Sequence, residues 1–373
     1  MHKKYTSLGL MSGTSGDGVD ASIIESNGID QFEVITDKYF EYDSDIYQEI
    51  HNLKEKIIGI KDLEKHPKEL LELERKITLF HAKVIKQLKL NNKDILIGFH
   101  GQTIYHNSEE KISKQLGDEK LLYQLTKKRI IFDFRKNDIL NGGEGAPLAP
   151  IFHQLIASQK KISLPVCVLN IGGISNVTII KKNISTELYS KDIGPGNCLI
   201  DTWVRKNSNK KFDRNGEFAS NGKNNDIIFE QAQELYANRI NKKKLSFDTS
   251  DFDISFARGL SLEDGAKTLT DFTASIIGQE ISSLLSLNSN NLIKDILICG
   301  GGRKNKVLLK KIKENLSPNI NLRLIDDFKV NGDFIESQAF AFLAIRSILK
   351  LPISFPKTTG VLKPCSGGEL IES

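Results

Sequence analysis

Apolar positions in the first part of the chain cluster in short strand-like runs. Runs from Thr6 to Met11, from Ala21 to Glu25 and around Phe32 to Tyr42 predict three strands in succession. The period then changes. Leu70, Leu73, Ile77, Phe80, Val84 and Leu88 recur every three or four residues, which predicts a long helix with one apolar stripe, and Pro67 suits its first turn. Ile95 to Phe99 and Arg129 to Phe132 read as further buried strands. A second series opens with a strand from Pro165 to Asn170. It continues with helices at Asn225 to Ile240, Ala266 to about Leu285, Asn305 to Leu316 and Glu336 to Leu349, and a strand at Asp295 to Cys299. Asn241 to Phe256 is the least regular and most polar stretch and reads as a surface loop. Strands followed by helices, twice over, predict an α/β protein of two lobes.

Three glycine-rich turns interrupt these runs. The first, Gly9 to Asp20, holds Gly13, Thr14, Ser15, Gly16, Asp17, Gly18 and Val19 between two strands. Glycines let backbone N–H groups approach an anion, hydroxyls add donors, and Asp17 and Asp20 offer oxygens to a cation that neutralises phosphate. The same residues also suit an ordinary hairpin turn. The second turn, Ile171 to Asn176, and the third, Gly300 to Gly302 between a buried strand and a helix, repeat the theme. Together they predict a nucleotide site more strongly than any one of them.

Other polar residues gather near these turns. Asp192, in Asp192-Ile193-Gly194-Pro195-Gly196-Asn197, sits on what reads as a stiff loop, with Asn197 suited to cap the next helix. A carboxylate there can act as a general base or bond turn amides. His100 to His106 follows a buried strand and presents groups that suit sugar hydroxyls, without the helical spacing of a histidine metal pair. Arg135 can fork onto a carboxylate or brace a crossover between lobes. Glu336 opens the last long helix, where it favours the dipole or binds a hydroxyl.

Composition narrows the function classes. Of 373 residues, 27% are charged and 39% hydrophobic, with a net charge of only +5, and no basic run is interleaved with aromatics. This argues against nucleic acid as a partner. No apolar segment approaches the roughly 20 residues of a membrane span. Cys167, Cys198, Cys299 and Cys365 lie far apart with no metal or disulfide spacing, which fits a reducing cytoplasm.

The ordered set Gly9 to Asp20, His100 to His106, Gln115 to Asp118, Asp133 to Pro150, Asn170 to Thr178, Asp192 to Asp201, Cys299 to Asn305 and Glu336 to Ala344 resembles the bacterial anhydro-N-acetylmuramic acid kinase family over nearly the whole chain. The resemblance implies two ribonuclease-H-like lobes of the actin-like ATPase fold around a central ATP cleft. We expect residues 1–136 with 352–373 in one lobe and 137–351 in the other. It further implies a cytoplasmic enzyme that uses ATP, Mg²⁺ and water to open and phosphorylate a small anhydro amino sugar in peptidoglycan recycling, and a homodimer. By the same resemblance Asp192 is the base. Gly13 to Asp20, Asn170, Gly172, Gly173, Asn176, Gly300, Gly301 and Gly302 bind ATP, with Asp17 and Asp20 toward Mg²⁺. His100, Thr103, Arg135 and Glu336 meet the sugar. Three positions depart from the family pattern: Gly16 stands for leucine, Ile193 for threonine and Ser337 for alanine.

Overall fold

The computed structural model describes residues 3–90, 94–239, 245–286 and 293–372. Its strands are β1 (Tyr5–Ser12), β2 (Gly18–Ser26), β3 (Phe32–Glu41), β4 (Leu96–Asn107), β5 (Ile112–Leu116), β6 (Arg129–Phe132), β7 (Val166–Ile171), β8 (Ile174–Ile180), β9 (Tyr189–Pro195), β10 (Asp295–Cys299), β11 (Asn321–Leu324) and β12 (Glu369–Ile371). The chain divides into two compact units, residues 1–162 with 183–188 and 334–373, and residues 163–182 with 189–333.

In the first unit β1, β2 and β3 form an antiparallel meander, and β4 and β6 follow parallel to β1, giving the order β3-β2-β1-β4-β6. β12 closes the β6 edge and β5 folds back on β4. The second unit repeats the plan as β9-β8-β7-β10-β11, again with two parallel strands added beyond an antiparallel meander. Each unit is therefore ribonuclease-H-like, and the protein is α/β with two sheets. Burial follows strand position: the central β1 is buried over Ser7 to Ser12, whereas the edge strand β3 is largely exposed.

Helix Pro67–Gln87 buries the predicted stripe, Leu73, Ile77, Phe80 and Val84, in the core of the first unit. Helix Ile335–Ile348 also packs in that unit, although the expected division placed it, with helix Pro150–Gln159, in the second lobe. The cause is a pair of glycines. Gly9 and Gly98 lie side by side on β1 and β4. A Cβ added there would sit 1.9 Å from the Ser337 carbonyl oxygen and 2.4 Å from that of Phe340. Bare backbone at both positions lets the helix lie directly on the sheet.

Other expectations shift in detail. β4 continues through His100 to Asn107 because β5 pairs with it, so these residues lie within a strand rather than after one. Asp192 to Pro195 likewise completes β9 and is not a loop. Helices Asp226–Arg239, Leu262–Ser286 and Lys306–Glu314 match those expected, while Ile240 and 241–244 lie outside the described residues. The remainder of the expected surface loop is not uniformly exposed, since Ser246 and Phe247 are buried. No helix among the described residues is long and apolar enough to cross a membrane.

Candidate active site

In the first unit the β1–β2 hairpin is held by its carbonyls. Gln102 Nε2 donates to Gly13 O at 2.9 Å, Lys54 Nζ to Thr14 O at 2.8 Å, and the Tyr42 N–H and Tyr39 hydroxyl to Asp17 O at 2.9 and 3.0 Å. The Gly16 N–H closes the turn onto Gly13 O at 3.1 Å, with Gly16 at φ +62°, where glycine alone is unstrained. Among the described residues the N–H groups of Gly13, Thr14, Ser15 and Asp17 have no protein acceptor. Carbonyls tied back and amides left over form a cradle suited to an anion. Ser15 Oγ donates to Asp17 Oδ1 at 2.5 Å. Val19 is fully buried in the core, so only its backbone can serve a ligand. The half-buried Tyr39 phenol has its pKa raised by burial and by the charges of Asp17, Glu41 and Asp20, which marks an acidic patch beside the turn.

His100, Thr103, Arg135 and Glu336 also fall in this unit. The buried His100 ring accepts from Arg135 Nε and Nη2 at 3.2 and 2.9 Å and, through Nδ1, donates to Gly101 O at 2.8 Å. Burial, then the Arg135 charge, holds its pKa well below the ordinary value, so the ring is neutral. Arg135 Nη1 also reaches Gly145 O at 2.8 Å. Arg135 thus forks onto a ring and a carbonyl. The His100 ring packs tilted against Phe340, centroids 4.5 Å apart, one turn beyond the half-buried Glu336 on helix Ile335–Ile348. Thr103 Oγ1 accepts from Gln115 Nε2 at 3.2 Å.

Ser337 is fully buried beside Glu336, and its hydroxyl meets Ser22 Oγ at 2.6 Å. Ser22 donates to Asp37 Oδ1 at 2.6 Å, and Gln338 Nε2 to Asp37 Oδ2 at 2.9 Å. Ser337 therefore joins a polar network between helix and sheet.

In the second unit Asp192 lies opposite Asn176 across β8 and β9 and is 6% exposed. Its N–H donates to Leu245 O at 2.7 Å, and its Oδ2 accepts from the Phe247 N–H at 2.8 Å. The segment read as a loop thus clamps this carboxylate. Ile193 lies at a bulge and is buried in the apolar core with Leu169, Ile171 and Ala274.

The two glycine turns of this unit meet each other. The Gly196 and Cys198 N–H groups donate to Gly173 O at 2.9 and 3.1 Å, and the Asn197 N–H to Gly172 O at 2.8 Å. Asn197 Nδ2 also bonds Gly172 O, at 3.1 Å, so its side chain ties the hairpin and does not cap the following helix. Cys299 pairs with Asn170, and Gly300, at φ +79°, lies where a Cβ would be 2.4 Å from Asn170 Oδ1 and 2.6 Å from Ile171 O. Gly302 is similarly packed on Ile171, but the nearest atom to a Cβ on Gly301 is 4.0 Å away. Arg303 points inward, bidentate on Asp326 at 2.8 and 3.1 Å and on Asp333 at 2.6 Å. Burial acts to raise both carboxyls, yet Arg303 leaves them below their ordinary pKa.

The holding residues Tyr39, Tyr42, Lys54 and Gln102 carry no signal of that role in the sequence, since each acts on a turn distant in the chain. Comparison with known proteins adds the following. A profile of the anhydro-N-acetylmuramic acid kinase family matches residues 5–372. Proteins of that name from Pelagibacter ubique, Zymomonas mobilis and Agrobacterium fabrum are 56%, 37% and 35% identical to this chain. The matches cover 100%, 97% and 100% of it and 100%, 98% and 100% of theirs. Among solved structures, component A of (R)-2-hydroxyglutaryl-CoA dehydratase from Acidaminococcus fermentans aligns with a TM-score of 0.43 at 13% identity, over 93% of this chain and 100% of that one.

Proposed function

The chain belongs to the anhydro-N-acetylmuramic acid kinase family, and from that premise we propose that it converts 1,6-anhydro-N-acetylmuramic acid, ATP and water to N-acetylmuramic acid 6-phosphate and ADP. The Asp192 carboxylate takes a proton from water, and the water oxygen bonds to the anomeric carbon. The bond from that carbon to O6 breaks, its electron pair passes to O6, and O6 bonds to the γ-phosphorus as ADP departs. The observation that carries this reading is Asp192 itself, a buried carboxylate with one oxygen fixed by the Phe247 N–H at 2.8 Å.

Gly13 to Asp20 takes the phosphates, on the cradle of N–H groups described above. Asn170, Gly172, Gly173, Asn176 and Gly300 to Gly302 serve the rest of the nucleotide. Arg135, His100, Thr103 and Glu336 receive the sugar and its lactyl carboxylate. The neutral His100 ring is committed to Arg135 and Gly101, so it acts by orienting the guanidinium. Asp17 and Asp20 fit Mg²⁺, a hard ion that takes one or two carboxylates and completes its shell with phosphate and water. When bound it neutralises phosphate charge. The setting is cytoplasmic recycling of peptidoglycan sugars, by a homodimer.

The test is to incubate the protein with ATP and the anhydro sugar and weigh the product. A gain of one phosphoryl group and one water supports the reading. A gain of phosphoryl alone marks an ordinary sugar kinase, and no product from protein that binds ATP overturns both.

A further inference from the structure

The first glycine turn stands on a support that the reaction above does not use. Beneath it lies a buried chain of polar groups, Tyr42, Ser12 and His81, which are 3%, 1% and 0% exposed. The direction of this chain follows from one carbonyl. His81 Nδ1 lies 2.8 Å from Ile77 O, which can only accept, so Nδ1 carries the proton and Nε2 is an acceptor. Ser12 Oγ, 3.4 Å from Nε2, therefore donates to His81, and the Tyr42 hydroxyl, 2.8 Å from Ser12 Oγ, donates to Ser12. Burial lowers the His81 pKa to about 4, which keeps the ring neutral and able to accept. Edge-to-face packing of Tyr42 on Phe80 at 4.9 Å and of His81 on Phe99 at 5.0 Å fixes both rings.

The Ser12 hydroxyl is thus spent inward, away from any ligand of the turn. Tyr42 holds the opposite foot as well, since its backbone N–H donates to Asp17 O at 2.9 Å. One residue grips Ser12 at the end of β1 and Asp17 just before β2, across the anion cradle of Gly13 to Asp17.

We propose that Tyr42 is a positioning residue for the phosphate turn, holding its two feet at the spacing that points the Gly13, Thr14, Ser15 and Asp17 N–H groups at the nucleotide. The inference rests on the phosphate role proposed for that turn. Tyr42→Phe removes the side-chain grip and keeps the backbone one. Loss of one net hydrogen bond weakens ATP binding about 2- to 13-fold, with kcat and the KM for the sugar changing much less.

The experiment titrates wild type, Tyr42→Phe, Ser12→Ala and the double variant with a non-hydrolysable ATP analogue, and measures KM for ATP and for sugar and a thermal melt of each. Weaker analogue binding in Tyr42→Phe, with no further loss in the double variant, supports the proposal. Wild-type analogue affinity in Tyr42→Phe overturns it, whatever happens to the melting temperature, because a purely structural role moves only the melt. Additive losses in the double variant overturn it too. If wild type turns over the sugar while the variants bind normally, the positioning claim fails alone. If wild type does not bind the analogue, the phosphate reading fails and takes this one with it.

Discussion

Gly300 and Gly301 are neighbours in one turn, yet the structure assigns them different consequences. Gly300 has φ +79°, and a Cβ would sit 2.4 Å from Asn170 Oδ1 and 2.6 Å from Ile171 O. With ψ at 170° this is a region essentially reserved for glycine, which costs an L-residue roughly 1–3 kcal/mol. Forcing a methyl into packed surroundings adds about 1–3 kcal/mol. Gly300→Ala therefore costs about 2–6 kcal/mol, and at ~2–4 °C per kcal/mol for a unit of this size its melting temperature falls by about 4–24 °C. Displacing Asn170 also weakens nucleotide binding. Gly301 has neither burden, its nearest neighbour being Asn197 Nδ2 at 4.0 Å. Gly301→Ala keeps the wild-type melt to within roughly 0.5 kcal/mol, the usual range for a substitution without such contacts. If the bare backbone there lies against the nucleotide, the same change raises KM for ATP. Thermal melts in the absence of ligand, paired with ATP titrations, read both effects. Equal melts for the two variants would refute the reasoning, as would a Gly301→Ala protein that is unstable yet binds ATP normally.

Further expectations follow the same logic. Asp192→Asn folds and binds nucleotide but loses turnover by ~10²–10⁴-fold, the usual share of a general base; single-turnover kinetics at saturating ATP check this, and an unchanged rate removes Asp192 from that role. His81 and His153, each lowered by burial to about 4, and His100, lowered well below 6.5, are neutral when folded. The unfolded chain binds more protons, so their contribution is fully present above about 6.5 and is lost as pH falls toward about 4. Denaturant midpoints across that range should fall with acid, and a flat profile would contradict the assignment. Ser337→Ala removes a buried hydroxyl bonded to Ser22 and lowers stability by roughly 0.5–1.5 kcal/mol, measured by urea unfolding. Chelation of Mg²⁺ abolishes turnover without unfolding the chain, which activity and circular dichroism check together.

How much was readable in advance depended on how local the cause was. The strand Asp295–Cys299 and the stripe from Leu73 to Val84 emerged directly, because their patterns lie within their own residues. The three glycine turns were visible for the same reason. The packing of helix Ile335–Ile348 on the first sheet depends on Gly9 and Gly98, bare positions hundreds of residues away that leave no periodic trace. The sequence around Asp192 reads as a loop because Gly194, Pro195 and Gly196 disguise the end of β9. Its carboxylate is held by Phe247, 55 residues on, within a stretch whose polarity suggested exposure. Arg135 and His100 were both picked out, but their pairing was not, since sequence spacing carries no information about which way a guanidinium turns.

The proposal that Asp192 activates water, while the departing sugar oxygen takes the phosphoryl group, makes a direct demand on where the water goes. Turnover of the anhydro sugar with ATP in heavy-oxygen water, followed by fragmentation of the product in a mass spectrometer, should place one labelled oxygen on the anomeric carbon and none in the phosphate. Label in the phosphate, or a phosphorylated product that carries no label at all, would contradict it.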